Sequence, residues 1–179
     1  MRPPRYLAFS ATAVAGLAAG LALAQEDDIF SFIPDGGRTL LAGLLDGNAP
    51  EGLARAVATE DVDEDAWMAR LGDTDLDQWQ TETLAQYLAA RAPFDPGGEM
   101  PRDGRDLALA LCQSCHIITV TVTQDRTVEA WLGTMNSPSH IEIEMTEADR
   151  RLLAEYLVVN AGIPIDLIPR ELRAGGASY

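Results

Sequence analysis

Apolar residues recur at three- and four-residue intervals through much of the chain, the spacing of helices with one buried face. Leu152/Tyr156 and Leu153/Leu157 are i,i+4 apolar pairs, and Thr146 precedes them as an N-cap with Glu147 and Asp149 in the first turn. These signals predict a helix over 146–160. Residues 105–111 read as a short helix that ends at Cys112, and 129–135 as one that ends in Met135, since Asn136-Ser137-Pro138 breaks the pattern. One stretch differs. Residues 117–123 alternate Ile, Thr and Val, which suits a short strand or extended backbone. Pro93, Pro96, Pro101 and the pair Gly97-Gly98 interrupt the chain and mark a linker over 92–103. After Asn160, Gly162 and Pro164 stop the last helix. An extended tail over 161–179 follows, with Ile163, Ile165, Leu167 and Ile168 laid on the surface or on a partner. The expected class is all-α.

The helical pattern occurs twice. Gly37-Arg38-Thr39-Leu40-Leu41 matches Gly104-Arg105-Asp106-Leu107-Ala108 and continues without gaps to Leu45 and Cys112. Ala66-Trp67 lies against Ala130-Trp131, and Leu84-Ala85-Gln86-Tyr87-Leu88 against Leu153-Ala154-Glu155-Tyr156-Leu157. Three matches in one order divide the chain into a first lobe over 25–91 and a second over 104–160.

The first residues are of another kind. Arg2 and Arg5 precede an uncharged, small-residue apolar stretch over 6–23, which closes on Ala22-Leu23-Ala24. This is the order of a secretory signal peptide over 1–24, cleaved after Ala24. Export to a periplasm follows, with membrane attachment only if the segment is retained.

Composition narrows the partners. The formal net charge is −15, with 13 Lys+Arg against 28 Asp+Glu. Every basic residue is arginine, and a pI near 4.3 leaves no cationic field for nucleic acid. Two cysteines and two histidines exclude a disulfide-dense scaffold.

Three of those four residues stand together as Cys112-Gln113-Ser114-Cys115-His116. This C-x-x-C-H spacing is that of covalent c-type haem attachment: two thiols one helical turn apart reach the two vinyl groups of one haem, and the adjacent imidazole reaches the iron. Three other readings use the same residues. A disulfide oxidoreductase places C-x-x-C after a strand at a helix start, whereas here a helix leads into it. A zinc site would consume both cysteines and both histidines. A simple Cys112–Cys115 disulfide would suit an exported chain.

Residues 104–160 resemble a small class I c-type cytochrome domain: a short helix entering C-x-x-C-H, a downstream methionine, and a terminal helix with the aromatic-aliphatic pair Tyr156-Leu157. The resemblance implies one covalent haem c on Cys112 and Cys115, with His116 as one axial iron ligand. It implies a thioether as the second, for which Met135 has the best position. His140 and Met145 are the alternatives. Trp131 and Arg126 are candidates for the haem propionates. In the first lobe Leu45, Asn48 and Ala49 stand where Cys112, Cys115 and His116 would, and Leu71 where Met135 would, so that lobe is expected to be a degenerate, haemless repeat. The implied function is one-electron transfer, not catalysis, between donor and acceptor proteins that meet an acidic surface with an electropositive patch. The chain would act as a free carrier or as the cytochrome subunit of a dehydrogenase complex. The rival functions are a five-coordinate haem sensor or small-molecule-binding enzyme, and a periplasmic thiol-disulfide oxidoreductase.

Overall fold

The computed structural model describes residues 29–173. The signal-peptide expectation and the end of the tail fall outside that range. Among the described residues the fold is all-α, with eight α-helices and no strand. None of these helices is long and apolar enough to cross a membrane.

The helices come as two sets of four. The first set is α1 (Gly37–Asp46), α2 (Leu53–Thr59), α3 (Glu64–Leu71) and α4 (Gln78–Arg91). The second is α5 (Gly104–Leu107, widening into a π-turn over Ala108–Cys112), α6 (Thr119–Val122), α7 (Val128–Met135) and α8 (Glu147–Asn160). Most start on a side chain that accepts from a free backbone N–H: Asp63 for α3, Asp77 for α4, Asp103 for α5, Thr127 for α7 and Thr146 for α8. Each such cap contributes about 1 kcal/mol. In both sets the first and third helices pack on the fourth.

The same contact organises each set. A Cβ on Gly37 would overlap the Cβ of Tyr87, and one on Gly104 would overlap the Cβ of Tyr156. Only glycine lets the first helix approach its fourth helix this closely. The tyrosines then reach across to the other set. Tyr87 Oη donates to the Pro101 carbonyl (3.0 Å), three residues before Gly104. Tyr156 Oη donates to the Pro34 carbonyl (2.6 Å), three residues before Gly37. The repeat read from Gly37 and Gly104 therefore begins upstream, at Pro34 and Pro101.

The sets share one continuous core. Helix α4 packs on α8, where Asn160 Nδ2 donates to Thr83 Oγ1 (2.8 Å) and Arg91 pairs with Asp149 (2.5 Å). Asp103, 2% exposed, caps two helices at once: Oδ1 accepts from Asp106 N (2.8 Å) and Oδ2 from Arg38 N (2.9 Å). A side chain on Gly36 would displace that carboxylate. Burial pushes the Asp103 carboxyl above its ordinary range, although these two N–H groups pull the other way. The 92–103 segment lies against the first set: Phe94 N donates to Val57 O (3.0 Å), and the Phe94 ring sits 5.7 Å from that of Tyr87.

Two local expectations are corrected. Residues 117–123 do not form a strand; Thr119–Val122 is helical. Ile118, Thr119, Thr121 and Val122 face inward at helical spacing, and Thr123 Oγ1 caps the Thr119 carbonyl (2.7 Å), so packing overrides β-branched propensity. The helix entering the motif ends at Cys112 as expected, with its last turn a π-turn. The tail is not simply extended. It forms 3₁₀ turns at Ile165–Leu167 and Arg170–Leu172, buries Ile168, and is pinned by Ile163 N donating to Val122 O (2.9 Å).

Two predictions follow from this packing. Gly104→Ala should cost about 2–3 kcal/mol by overpacking against Tyr156. Gly43→Ala, with open space around its Cβ in the middle of α1, should gain up to about 1 kcal/mol. Urea denaturation of both chains measures this, and a Gly104→Ala chain as stable as wild type would exclude the close crossing. For Asp149, burial acts upward, but hydrogen bonds from Arg91 and Thr146 leave its carboxyl below the ordinary range. The unfolded chain therefore binds more protons here, so the carboxylate stabilises the fold above pH about 4, and that stability fades as pH falls. Asp149→Asn should cost about 1–2 kcal/mol at neutral pH, with the difference from wild type closing in acid. A pH-independent difference would contradict the ion pair.

Candidate functional site

The three motif residues enter one cleft. Leu111 and Cys112 come from the π-turn, Cys115 and His116 from the turn that follows, and Thr121 from α6. Trp131, Thr134 and Met135 come from α7, Leu153 and Leu157 from α8. His140, Ile143 and Met145 come from the loop between those two helices. The cleft holds about 530 Å³ of empty space, counting its open mouth, and its exposed wall is nearly all apolar. All the sequence-predicted ligand residues are thus together: Cys112, Cys115, His116, Met135, and the alternatives His140 and Met145.

Local structure explains how each is held. The π-turn carries one extra residue per turn, a feature common at functional sites. It ends at Cys112, whose carbonyl accepts from His116 N (3.2 Å). Burial pushes the Cys112 thiol pKa up, opposed by a hydrogen bond with Thr121. That is opposite to the depressed value that activates a catalytic thiol, and the pair lies at a helix end rather than a start. Neither cysteine is in a disulfide; Cys112 is half-buried, Cys115 exposed. His116 is also exposed. Among the described residues no three His, Cys, Asp or Glu side chains gather as a bare metal site.

Met135, 7% exposed, is the last residue of α7. The loop beyond it turns tightly, with His140 N and Ile141 N both donating to Ser137 O (2.9 Å each). Arg150 on α8 holds this loop. Its guanidinium donates to Met135 O (2.5 Å), Ile143 O (3.0 Å) and Ile141 O (3.4 Å), and the residue is only 8% exposed. Neither Arg150 nor Thr121 was found by sequence motif. The signal for Arg150 was there: it is in helical register with Leu153 and Leu157, an arginine inside an apolar stripe.

The donor set fits a covalent haem: two thiols at the right spacing, an adjacent imidazole, and sulfur and nitrogen donors around one apolar cleft. Trp131 Nε1 is buried without a partner, as an atom awaiting a ligand would be, but Trp67 Nε1 in the first set is too. The indole therefore carries no weight by itself. Arg126 lies 4.9 Å over the Trp131 ring and donates to Thr134 Oγ1 (2.7 Å), outside the cleft lining.

The first set offers a comparison within the same molecule. Leu71, in the place of Met135, is 1% exposed, and Leu53, Val57, Trp67, Leu84 and Leu88 are equally enclosed. Asn48, in the place of Cys115, is exposed, with a long 3.5 Å contact to Asp75. A wider opening of about 1,570 Å³ runs past Trp79, Asn160 and Leu167, but it is open, more polar, and contains none of the candidate residues.

Arg150→Met should keep the buried stem and lose the three carbonyl bonds. Amide exchange and proteolysis should then rise several-fold in residues 136–145 while α1–α4 keep their protection. Unchanged exchange in that loop would show that Arg150 does not hold it.

Compared with protein-family models, with curated proteins and with solved structures, the chain matches none, so the functional reading rests on the residues of this cleft.

Proposed function

We propose that the chain is an exported electron-transfer protein of the class I c-type cytochrome kind, carrying one covalent haem c in its second helical set. A single observation carries the reading: Cys112, Cys115, His116 and three further soft or imidazole donors converge on one apolar cleft, while in the other repeat Leu71 is buried in the place of Met135. The buried Tyr156-Leu157 pair on α8 and the close crossing of α5 at Gly104 support the same family.

Bound there, the haem supplies a reversible one-electron change at iron, so that one electron leaves a donor protein and is passed to an acceptor with no bond made or broken. The chain does the rest. Cys112 and Cys115 would hold the group through thioethers, and His116 would offer it an imidazole nitrogen. A second donor comes from α7 or the loop after it. Leu111, Trp131, Leu153 and Leu157 keep water from the buried side. The exposed His116, Cys115 and Ile117 mark the edge a partner approaches. With His116 and a second side chain both donating to the group, no site would be left there for substrate, and the chain would act as a carrier.

The surface is strongly acidic, with runs at Glu60-Asp61, Asp63-Glu64-Asp65 and Asp73 to Asp77. Such a field favours donor and acceptor proteins with electropositive docking patches and speeds their encounter at low salt. In this reading the first set is a degenerate cytochrome repeat, and the 1–24 segment is removed on export to the periplasm.

Produced in a host that matures c-type haems, the exported chain should be red and keep its colour through acid-acetone extraction and a denaturing gel. It should titrate as a one-electron couple. Cys112→Ala with Cys115→Ala should abolish covalent haem. A colourless wild-type product from that host would overturn the reading.

A further inference from the structure

We infer that the second iron ligand is the His140 imidazole, bound through Nε2, and not a methionine sulfur. This rests on the haem reading above and names one ligand of that same site. The first observation is spacing. The His116 and His140 ring centroids are 6.3 Å apart, with the ring planes 44° to one another. Two imidazoles on opposite sides of one metal, each with a bond of about 2 Å and about 1.1 Å more from nitrogen to ring centre, have centroids about 6 Å apart. The two histidines of the chain thus stand at the separation a shared iron would give them, across the cleft that both line.

The second observation is how the His140 ring is held. Ser137 Oγ and Ser139 Oγ both lie 3.0 Å from its Nδ1, and 3.1 Å from each other. With the ring proton on Nδ1, these oxygens receive it and Nε2 keeps its lone pair. Ligand histidines are oriented in this way, by a partner on the nitrogen that does not bind the metal. The turn bonds at Ser137 and the Arg150 contacts on either side of His140 hold the backbone of the same loop. The two methionines line the same cleft but are also held in the core. Met135 is a buried member of the core at the end of α7, and Met145 is packed against the same core. Each already has the role that flexible thioethers commonly fill, occupying irregular space between helices.

Imidazole in place of thioether lowers the reduction potential, because the softer sulfur donor favours the ferrous state. The test uses the full exported chain after haem attachment. The ferric wild-type protein should be low-spin, should lack the weak near-infrared sulfur-to-iron band, and should not bind carbon monoxide when reduced. His140→Met should gain the band and shift the midpoint potential upward. His140→Ala should open the iron, so that the reduced protein binds carbon monoxide rapidly. A wild-type sulfur-to-iron band that Met135→Leu or Met145→Leu removes would overturn the assignment while leaving the haem reading intact. So would an iron whose spectra do not change in His140→Ala, or a wild-type iron that is high-spin and open. A wild-type chain without covalent haem would overturn both readings.

Discussion

The absence of a side chain at two helix starts governs this fold. Gly37 and Gly104 let α1 and α5 press against the β-carbons of Tyr87 and Tyr156, an approach no other residue permits. Each tyrosine then spends its hydroxyl on a carbonyl of the opposite set, at Pro101 and Pro34. The exchange is reciprocal, so neither four-helix set is finished without the other. Asp103 strengthens the junction by capping α1 and α5 with one carboxylate. Since α5 leads directly into Cys112, the contact that closes the fold also decides where the cysteines and His116 begin. Burial of the Tyr156 hydroxyl raises its pKa and keeps it a neutral donor.

One frame then reaches two outcomes. In the first set leucines and Trp67 fill the interior. In the second, the same helix order leaves a cleft between α7, α8 and the motif. Protein interiors are packed to near-crystalline density, so an apolar cleft in one of two matching sets distinguishes that half from the other. The difference traces to a few positions. Leu71 fills where Met135 ends its helix, and the first set has no counterpart of the His140 loop, because Gly72 to Leu76 reaches the next helix in fewer residues than 136–145.

Much of this was legible in the sequence, and the failures have physical causes. Thr146 as an N-cap, with Glu147 and Asp149 in the first turn, announced α8, and the Asn136-Ser137-Pro138 break placed Met135 at a helix end. The repeat was visible because glycine, tryptophan and tyrosine at fixed order are demanded by packing. Residues 117–123 misled because alternation describes one face of a pleat, whereas Ile118, Thr119, Thr121 and Val122 are buried by tertiary contact at helical spacing. The π-turn had no local signal, since it depends on what α5 meets. Arg150 was hidden by its charge: a guanidinium reads as surface until three loop carbonyls are seen to satisfy it. The spacing of His116 and His140 lies beyond any sequence rule, because it joins two segments across the cleft.

The arginines account for the character of the surface. Arg38 is committed to Asp106, Arg70 to Glu60, Arg91 to Asp149 and Arg151 to Glu155. Arg150 is enclosed by the loop, Arg126 lies on Trp131, and Arg105 reaches the Phe30 carbonyl. Guanidinium suits such work, with its planar donors and weaker hydration, better than a lysine ammonium does. Carboxylates outnumber the arginines and set the outer field, and many of them belong to the first set. That set contains no cysteine or histidine, yet its tyrosine, its helix start and its salt bridge to Asp149 brace the half that holds the cleft. The first set thus gives the other its framework and much of the molecule's negative charge, whose field acts over about 8 Å at physiological salt.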